Sequence, residues 1–557
     1  MSAPLADAGS AAMWPPGTVQ LEESNRTIHE IILQPRPTED PNDPLNWSKV
    51  RKYINFAFVC FYVLMVNEFL NAATPTWGPM NKELGFSYEI LNDSYAVGCA
   101  FLAIGALVLV PFALKFGRRP LYLFSTMLQF GLSIWAAKMT TVADLMLINI
   151  LQCAFGALAE VIVQMTVADV FFVHQRGTMN SIYIWVFNMS SSLGPLIAGF
   201  IAKAQGWRWV WWWNAIIFGV TISLVAFGYE ETKFNPSSVP TFLPGQSPET
   251  DANQLSNSIS SKSADVATAK PKDIEEGPKE VEEGSRQLGP VTINLNIPRK
   301  TYLQKLAITT PSGSDGNNSL LRHMYQPLIL LGTIPAVAWT ALVYGILVAL
   351  ADVMSTILSS FMTKPPYNFD SSQIGMMNIP KIIGSTLGSL IAGPFSDWLV
   401  VYLARRNNGV YEPEMRLWAI VPFIFLVPIG SLMFGIGLNN KVPWPAITVG
   451  LGLYRAGIAP ISGITITYLT DSYKDVIGDG LVGVTIVRNV FSTAFIFALS
   501  PWVAAVGIKY VLVTIVLIAT VILSFLAVFI IFGKIFRARS AARYKYYAAR
   551  QYKERAL

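Results

Sequence analysis

Runs of about twenty apolar residues recur along this chain, and they constrain its fold more than any other feature. The hydrocarbon core of a bilayer is about 30 Å thick, so a helix needs roughly 20 residues to cross it. Twelve runs in the sequence fit that template. Only 14% of the residues are charged, whereas soluble domains carry about 25%. The sequence therefore predicts an all-α integral membrane protein.

The twelve predicted spans form two groups of six. The first group is 53–74, 92–114, 121–137, 143–168, 178–202 and 210–229. The second is 328–361, 374–395, 417–438, 444–468, 476–501 and 510–532. The spans divide the chain into an N-terminal tail, a first bundle, a linker, a second bundle and a basic tail, at 1–52, 53–229, 230–326, 327–533 and 534–557. The linker is rich in Ser, Pro, Lys and Glu, which predicts a disordered cytosolic segment.

Lysine and arginine in the short connections predict the orientation, because cytosolic loops are enriched in them. Basic clusters precede the first span, follow the second and eighth spans, and fill the last residues. They alternate onto one side, which predicts that both termini are cytosolic. We expect a cell-membrane protein, with the vacuolar membrane as an alternative. Asn92, in an Asn-Asp-Ser triplet, would then face outward as a glycosylation candidate, although it lies close to the bilayer.

The two groups of spans resemble each other, which is typical of transporters built from repeats. VPFALKFGRR ends the second span, and GPFSDWLVVYLARR ends the eighth. The fourth span ends at Asp169 and the tenth at Asp471. This repetition predicts two pseudo-symmetric six-helix bundles around a central cavity.

The fifth span contains SSSLGPLIAG, from Ser190 to Gly199. This segment resembles the antiporter motif of the major facilitator superfamily, in the twelve-span drug:proton antiporter branch found in fungi. The resemblance covers nearly the whole membrane region and implies the facilitator-type fold and secondary active transport. Gly194 and Gly199 would let helices approach closely, and Pro195 would interrupt the helix ladder. We expect these three residues to act in conformational change.

The loop after the second span resembles the end of that family's signature GxLxDRxGRR, through Lys115, Arg118 and Arg119. Val110 and Leu114 depart from the pattern. The second half keeps more of it, in a set that continues into the next span: Gly393, Asp397, Arg405, Arg406, Glu414 and Arg416. We interpret these charges, with Asp169, Asp471 and Arg488, as candidate gating residues. Arg488 and Asp471 are expected to pair near the cytosolic mouth, either as a gate or as an anchor.

Ionisable and amide side chains inside apolar spans are candidates for substrate or proton binding, because each charge costs about 2.5–3.5 kcal/mol to insert. The candidates are Asn67, Glu68, Asn71, Glu160, Asp352 and Arg455. The resemblance implies that their spans line the cavity. Gln152 stands where the family usually has an intramembrane arginine, so proton coupling cannot be carried over from that position. Two other interpretations stay open: an acid paired with Arg455 as a structural contact, and Glu68 and Asp352 as solvated groups near the outer interface.

Several classes of function are excluded by their motifs. The chain has no GxxxxGK[ST], HExxH or GxSxG sequence. The GxGxxG match at residues 478–483 follows an apolar span, not a βαβ strand. The three histidines lack metal-ligand spacing. We therefore expect no enzyme activity, cofactor, metal, nucleotide or nucleic acid.

The leading hypothesis is a monomeric, proton-coupled carrier that exports a small organic compound, such as a drug-like molecule or secondary metabolite, by alternating access. The second is proton-coupled uptake of an organic cation such as a polyamine, because the cavity spans carry more acid than base. A non-transporting receptor or scaffold is a third. The repetition between the halves weighs against it, because a scaffold has no need of two-state symmetry.

Overall fold

The computed structural model of the protein describes residues 15–20, 38–234, 298–306 and 320–550. Within these residues, eleven helices are long and apolar enough to cross a membrane. The helix Arg119–Ala137 lies at the place of the predicted third span. Ser125, Gln129 and Ser133 lower its hydropathy, and all three side chains are fully buried. With this helix the described chain has the twelve predicted spans.

The first six spans are Lys49–Asn71, Tyr88–Phe116, Arg119–Ala137, Val142–Gly156 with Leu158–Val170, Val173–Ala204, and Trp207–Gly228. The seventh span consists of Leu320–Thr333 and Pro335–Phe361, and the eighth consists of Ser371–Met376 and Ile379–Arg406. The ninth span is Leu426–Asn439, which follows the short helices Glu414–Leu417, Trp418–Ile420 and Val421–Ile424. The last three are Trp444–Ser472, Ile477–Val506, and Ile508–Ser524 with Leu526–Ala548. Short helices in the connections are Pro44–Asn46, Thr74–Thr76, Trp77–Leu84, Tyr302–Lys305 and Lys474–Val476.

The predicted span limits agree with the helices to within a few residues in most places. The largest differences are helices that continue beyond the apolar run. The eighth-span helix extends to Arg406, and the last helix continues into the predicted basic tail as far as Ala548. Apolar length alone does not show where a helix ends once it leaves the bilayer, because the following residues are also good helix formers.

Each bundle has its own apolar core. The first is centred on residues such as Val63, Phe69 and Phe218, and the second on residues such as Leu350 and Leu451. Large apolar side chains also cover the outside of both bundles, where they would contact lipid.

The described chain ends lie together on one face, which we call the terminal face. There the strand β1, Val19–Gln20, pairs antiparallel with β2, Val410–Tyr411, in the loop between the eighth and ninth spans. The short helix Tyr302–Lys305 is also held there, because Tyr302 donates a hydrogen bond to the Phe227 carbonyl. The predicted disordered linker falls mostly on residues 235–297 and 307–319, outside the described residues.

Candidate substrate cavity and gates

A small cavity lies between the two bundles. Its volume is about 30 Å³, which is room for about two water molecules. The first bundle contributes Glu160, Gln164 and Tyr183 to its wall, and the second contributes Tyr344 and Arg488. Sites for drug-sized ligands measure about 300–1,000 Å³. The structure therefore has a closed conformation, which must open to admit an organic substrate.

An ion pair between the bundles forms one wall of this cavity. The Arg488 Nη2 donates to Glu160 Oε1, and each side chain is only 6% exposed. The same guanidinium donates to Asn489 Oδ1, at 3.1 and 3.3 Å, and lies 5.6 Å from the centre of the Tyr344 ring. Removing one partner of such a buried pair is costly, because the other charge is left uncompensated. This pair therefore links the closed conformation to the charge of Glu160.

A second polar contact crosses the interface one turn further along the eleventh span, at Ser492. Tyr95 of the second span donates to Asp352 of the seventh, at 3.3 Å, and Ser492 donates to the same carboxylate at 2.7 Å. Lys381, which is 4% exposed, donates to Ser355 within the second bundle. Asp352 and Arg455 form no ion pair with a described residue. The alternative of an acid paired with Arg455 is wrong for this conformation.

The other predicted binding residues lie inside the first bundle, away from the cavity. Asn67 donates to the Phe187 carbonyl at 2.7 Å and to the Ser190 hydroxyl at 2.8 Å, and Asn71 donates to Asn67. These bonds join the first span to the fifth. Glu68 is buried beside them, 7% exposed. The geometry therefore gives Asn67 and Asn71 a packing role in this conformation, and Glu68 is not the solvated interfacial group of the alternative reading.

The glycines of the fifth-span motif pack against two different helices. A Cβ on Gly194 would lie 2.7 Å from the Glu68 carbonyl oxygen, within the first bundle. A Cβ on Gly199 would overlap the Ser371 carbonyl oxygen of the eighth span and lie 3.0 Å from Gly375 Cα. Gly199 thus lies at the contact between the bundles, at the face opposite the terminal face. Pro195 lies inside the helix between them.

One turn after Gly199, an ion pair joins the bundles at that opposite face. Lys203 Nζ lies 2.7 Å from Asp370 Oδ2, and both side chains are about half exposed. Partial burial alone would raise the pKa of Asp370. Hydrogen bonds from Lys203, the Gln373 backbone and Ser372 outweigh burial and lower the pKa to about 2. Asp370 is therefore ionised, and the ion pair with Lys203 is intact, at any pH above the ordinary carboxyl pKa. The ion pair is lost only as the pH falls through about 2, where Asp370 takes up a proton.

We accordingly expect that Asp370→Asn leaves the shape of the transport pH profile unchanged between about pH 4 and pH 7, because Asp370 stays ionised throughout. Transport rates measured in parallel for the wild type and Asp370→Asn across that range will check this. A profile whose midpoint moves in the variant would contradict it.

In the first half, the charges on the terminal face are held within their own bundle. Arg118, only 1% exposed, lies 3.3 Å from Asp169 at the end of the fourth span. The backbone N–H groups of Arg118 and Arg119 donate to Glu231, at 3.1 and 3.0 Å. Lys115 accepts from Lys233 through its carbonyl oxygen. This cluster ties the loop after the second span to the ends of the fourth and sixth.

The second half repeats this arrangement. Arg416 lies 2.9 Å from Asp471 at the end of the tenth span and 3.2 Å from Asp397 at the end of the eighth. Tyr411 also donates to Asp471, at 2.6 Å. Burial and the nearby Asp471 carboxylate raise the pKa of Tyr411 well above its usual value. The expected pair between Arg488 and Asp471 is wrong for this conformation, because each has another partner.

The remaining predicted charges on this face have different surroundings. Glu414 receives two hydrogen bonds from Arg537 of the twelfth span, at 2.7 and 2.6 Å. Arg406 lies over the Tyr402 ring, 4.8 Å from its centre. Arg405 is exposed at the end of the eighth-span helix. Asn92 is buried in the second span and donates to the Ile496 carbonyl, so it does not fit a glycosylation acceptor in this conformation.

The sequence model of the Major Facilitator Superfamily matches residues 54–490. The chain belongs to this superfamily. An uncharacterized MFS-type transporter of Schizosaccharomyces pombe is 31% identical, over 95% of this chain and 94% of its own length. The MFS antiporter QDR3 of Candida albicans is 24% identical, over 88% of this chain and 78% of its own length. Among solved structures, the proton:xylose symporter XylE has a TM-score of 0.54 at 13% identity, covering 87% of this chain and 97% of its own.

The predicted facilitator-type fold is therefore confirmed, as is the expectation of a multi-pass transporter that is not an enzyme. Sequence reasoning missed Gln164, Tyr183 and Tyr344 of this facilitator's candidate cavity, and the buried Lys381 outside its lining. Lys381 is an ionisable residue inside an apolar span, and the rule that selected Glu160 would also have selected it. Gln164 is an amide inside a predicted span and fits the rule that selected Asn67 and Asn71, whereas Tyr183 and Tyr344 carried no comparable signal because tyrosines are common throughout the spans.

Proposed function

We propose that this facilitator couples the movement of a small organic compound to protons by alternating access, with Glu160 as the proton carrier and Arg488 as its partner. One observation carries the proposal: the Glu160 carboxylate faces the cavity and forms an ion pair across the bundle interface. Protonation removes the charge that holds Arg488. The interface then loses one of its polar links, and the two bundles separate more readily.

The energy available from protons is sufficient for such a step. One charge that crosses 100 mV gains about 2.3 kcal/mol, and each pH unit adds about 1.4 kcal/mol. Together these exceed the coupling energies of about 1–3 kcal/mol that typically link two sites. A single protonated carboxylate is therefore enough to bias the two conformations.

Export is the proposed direction, with the terminal face in the cytosol and the protein a monomer in the cell membrane. The basic residues at the terminal face support this orientation. The resemblance of the fifth span to an antiporter motif supports exchange of substrate against protons, and the relative QDR3 is named an antiporter.

A second candidate is proton-coupled uptake of an organic cation, and the cavity lining favours it. The Glu160 carboxylate is accompanied by the rings of Tyr183, Phe187 and Tyr344. Carboxylates and aromatic faces together bind organic cations. Arg488 occupies that position in the closed conformation, so a cationic substrate would compete with it for Glu160.

The test is Glu160→Gln in purified protein reconstituted into liposomes, with a substrate found by screening a panel of drug-like molecules and organic cations. Glutamine keeps the shape of the side chain and removes its titration. We expect loss of accumulation driven by an imposed pH gradient, while exchange of labelled for unlabelled substrate continues. Asp352→Asn is the matched control, because it neutralises the other carboxylate that lies inside a membrane span at the bundle interface.

If Glu160→Gln accumulates substrate at the wild-type level under the same gradient, Glu160 does not carry the proton. Loss of substrate binding together with loss of coupling would favour the organic-cation candidate, because a neutral substrate has no need of that charge. Coupling lost in Asp352→Asn and kept in Glu160→Gln would assign the proton to Asp352.

A further inference from the structure

Two basic side chains of the second bundle lie inside the membrane without an acid bound to them. Lys381 of the eighth span is 4% exposed, and its Nζ donates to the Ser355 hydroxyl at 3.2 Å. Arg455 of the tenth span is half-buried. Within the part of the chain that the structure describes, neither forms an ion pair, and the Arg455 side chain forms no hydrogen bond. Charges at this depth almost always pair or face a polar cavity, so these two residues indicate a polar site.

The two basic residues lie beside a close contact between their helices. A Cβ on Gly384 would overlap the Gly452 carbonyl oxygen, and a Cβ on Gly452 would lie 3.1 Å from the Pro380 carbonyl oxygen. Lys381 directly follows Pro380, and Arg455 is three residues after Gly452. The two side chains are therefore near enough to act on each other electrostatically. Two cations at such a distance repel each other, which favours an anion beside them.

Asp352 supplies one negative charge to this group of residues. It is near enough to act electrostatically on both Lys381 and Arg455. Its oxygens, however, accept hydrogen bonds from Tyr95 and Ser492. One carboxylate beside two cations leaves one positive charge in excess, whereas the ion pair on the cavity wall is balanced.

These residues continue the polar wall of the cavity toward the face opposite the terminal face. Ser462 and Tyr344 line the cavity. Arg455 precedes Ser462 by seven residues, and Ser355 follows Tyr344 by eleven. These spacings are close to two and three helical turns, so each pair of side chains lies on the same side of its helix. The basic site is thus about 10 Å from the cavity along the tenth span.

We propose that the substrate of this facilitator carries an oxyanion group, such as a carboxylate, which binds between Lys381 and Arg455 when the cavity opens. This inference rests on the proposed transport function and specifies the substrate class for it. The oxygens of such a group would accept from the Lys381 ammonium and from the guanidinium of Arg455, which matches a carboxylate through two parallel N–H bonds. The bound group would also balance the excess positive charge.

The basic site bears on the choice between the two candidate functions. An organic cation without an acidic group would meet Lys381 and Arg455 at one end of the opened cavity, and repulsion between like charges disfavours such a ligand. An acidic or amphoteric compound has a group that fits this end. The inference therefore favours a drug-like molecule or secondary metabolite that carries a carboxylate over a simple polyamine.

The test measures the charge preference of the site itself and requires neither a known substrate nor a pH gradient. Its outcome is therefore separate from the outcome of the Glu160→Gln experiment. Ser355→Cys serves as a reporter in a full-length background with Cys60, Cys99 and Cys153 changed to serine. The purified, detergent-solubilised protein reacts with two methanethiosulfonates of similar size, one ending in a sulfonate and the other in a trimethylammonium group.

The readout is the ratio of the anionic to the cationic rate constant, each divided by the rate constant of the same reagent with a free thiol in solution. Both reagents need the same opening of the protein, so the ratio reports charge and not the frequency of opening. We expect a ratio above one. Lys381→Gln and Arg455→Gln should each lower the ratio roughly tenfold, because a nearby charge affects the two reagents in opposite directions.

Lys441→Gln is the matched control, because it removes an exposed positive charge from the loop after the ninth span, outside the site. It should leave the ratio unchanged. A ratio below one in the parent protein, or an unchanged ratio in both variants of the site, would overturn the proposal. Failure of both reagents to react would also overturn it, because a substrate group would then be unable to reach the site.

Discussion

Gly199→Leu should reduce transport by one to two orders of magnitude by preventing the bundles from closing at the face opposite the terminal face. The leucine would have to occupy space filled by the Ser371 carbonyl and by Gly375. Forcing extra carbons into a packed contact costs about 1–3 kcal/mol, and each 1.4 kcal/mol changes an equilibrium about tenfold. Because the contact lies between bundles, this energy acts on the conformational equilibrium.

The measurement pairs transport with a labelling reporter. Ile496→Cys, in the background without native cysteines, lies in the contact with Ala96 near that face. In the Gly199→Leu protein this cysteine should react faster with a thiol reagent, while the protein is still recovered from the membrane in wild-type amount. Gly131→Leu is the control, because Gly131 is exposed in the third span with no neighbour within 4 Å.

Gly194→Leu separates two roles of the same motif. Gly194 contacts Glu68 inside the first bundle, so a leucine there should disturb the packing of the first and fifth spans. We expect lower thermal stability from Gly194→Leu and altered reporter labelling from Gly199→Leu. Wild-type transport by the Gly199→Leu protein would remove this contact from the mechanism.

The sequence was sufficient to predict the membrane spans because their signal is local. Twenty apolar residues must form a helix in a bilayer, where every backbone group needs an internal partner. The repeated charges at the ends of the spans were also visible, and the structure places Arg118 with Asp169 and Arg416 with Asp471 at matching positions of the two halves.

The partners across the bundle interface were not predictable in this way. Glu160 and Arg488 are 328 residues apart, and no periodicity connects them. Arg488 was therefore expected to pair with Asp471, a neighbour along the chain. Arg537 is a similar case, because a basic residue after the last apolar run is usually an orientation signal. Its burial against Glu414 and Pro16 follows only from tertiary packing.

Arg488→Met should destabilise the protein strongly, because it leaves the Glu160 carboxylate buried without its cation. Breaking such a pair from one side costs about 3–5 kcal/mol, a large part of the roughly 5–15 kcal/mol that stabilises a typical fold. Thermal unfolding of the purified protein should show a clearly lower midpoint and a lower yield of monodisperse protein.

The double variant Glu160→Gln with Arg488→Met should recover most of the lost stability, because no buried charge is then left unpaired. It should not recover coupling to a pH gradient, since the titrating group is absent. This combination separates the structural contribution of the pair from its proposed role in transport.

Arg455→Met is the control for removal of an intramembrane arginine. Arg455 lies in the adjacent tenth span, and within the described part of the chain it forms no ion pair. Its replacement should therefore cost much less stability than Arg488→Met. Equal unfolding midpoints for the two variants would mean that the loss at Arg488 does not come from the uncompensated Glu160. The ion pair would then contribute little to the stability of the closed conformation, and the proposed release of Arg488 by protonation would lose its structural basis.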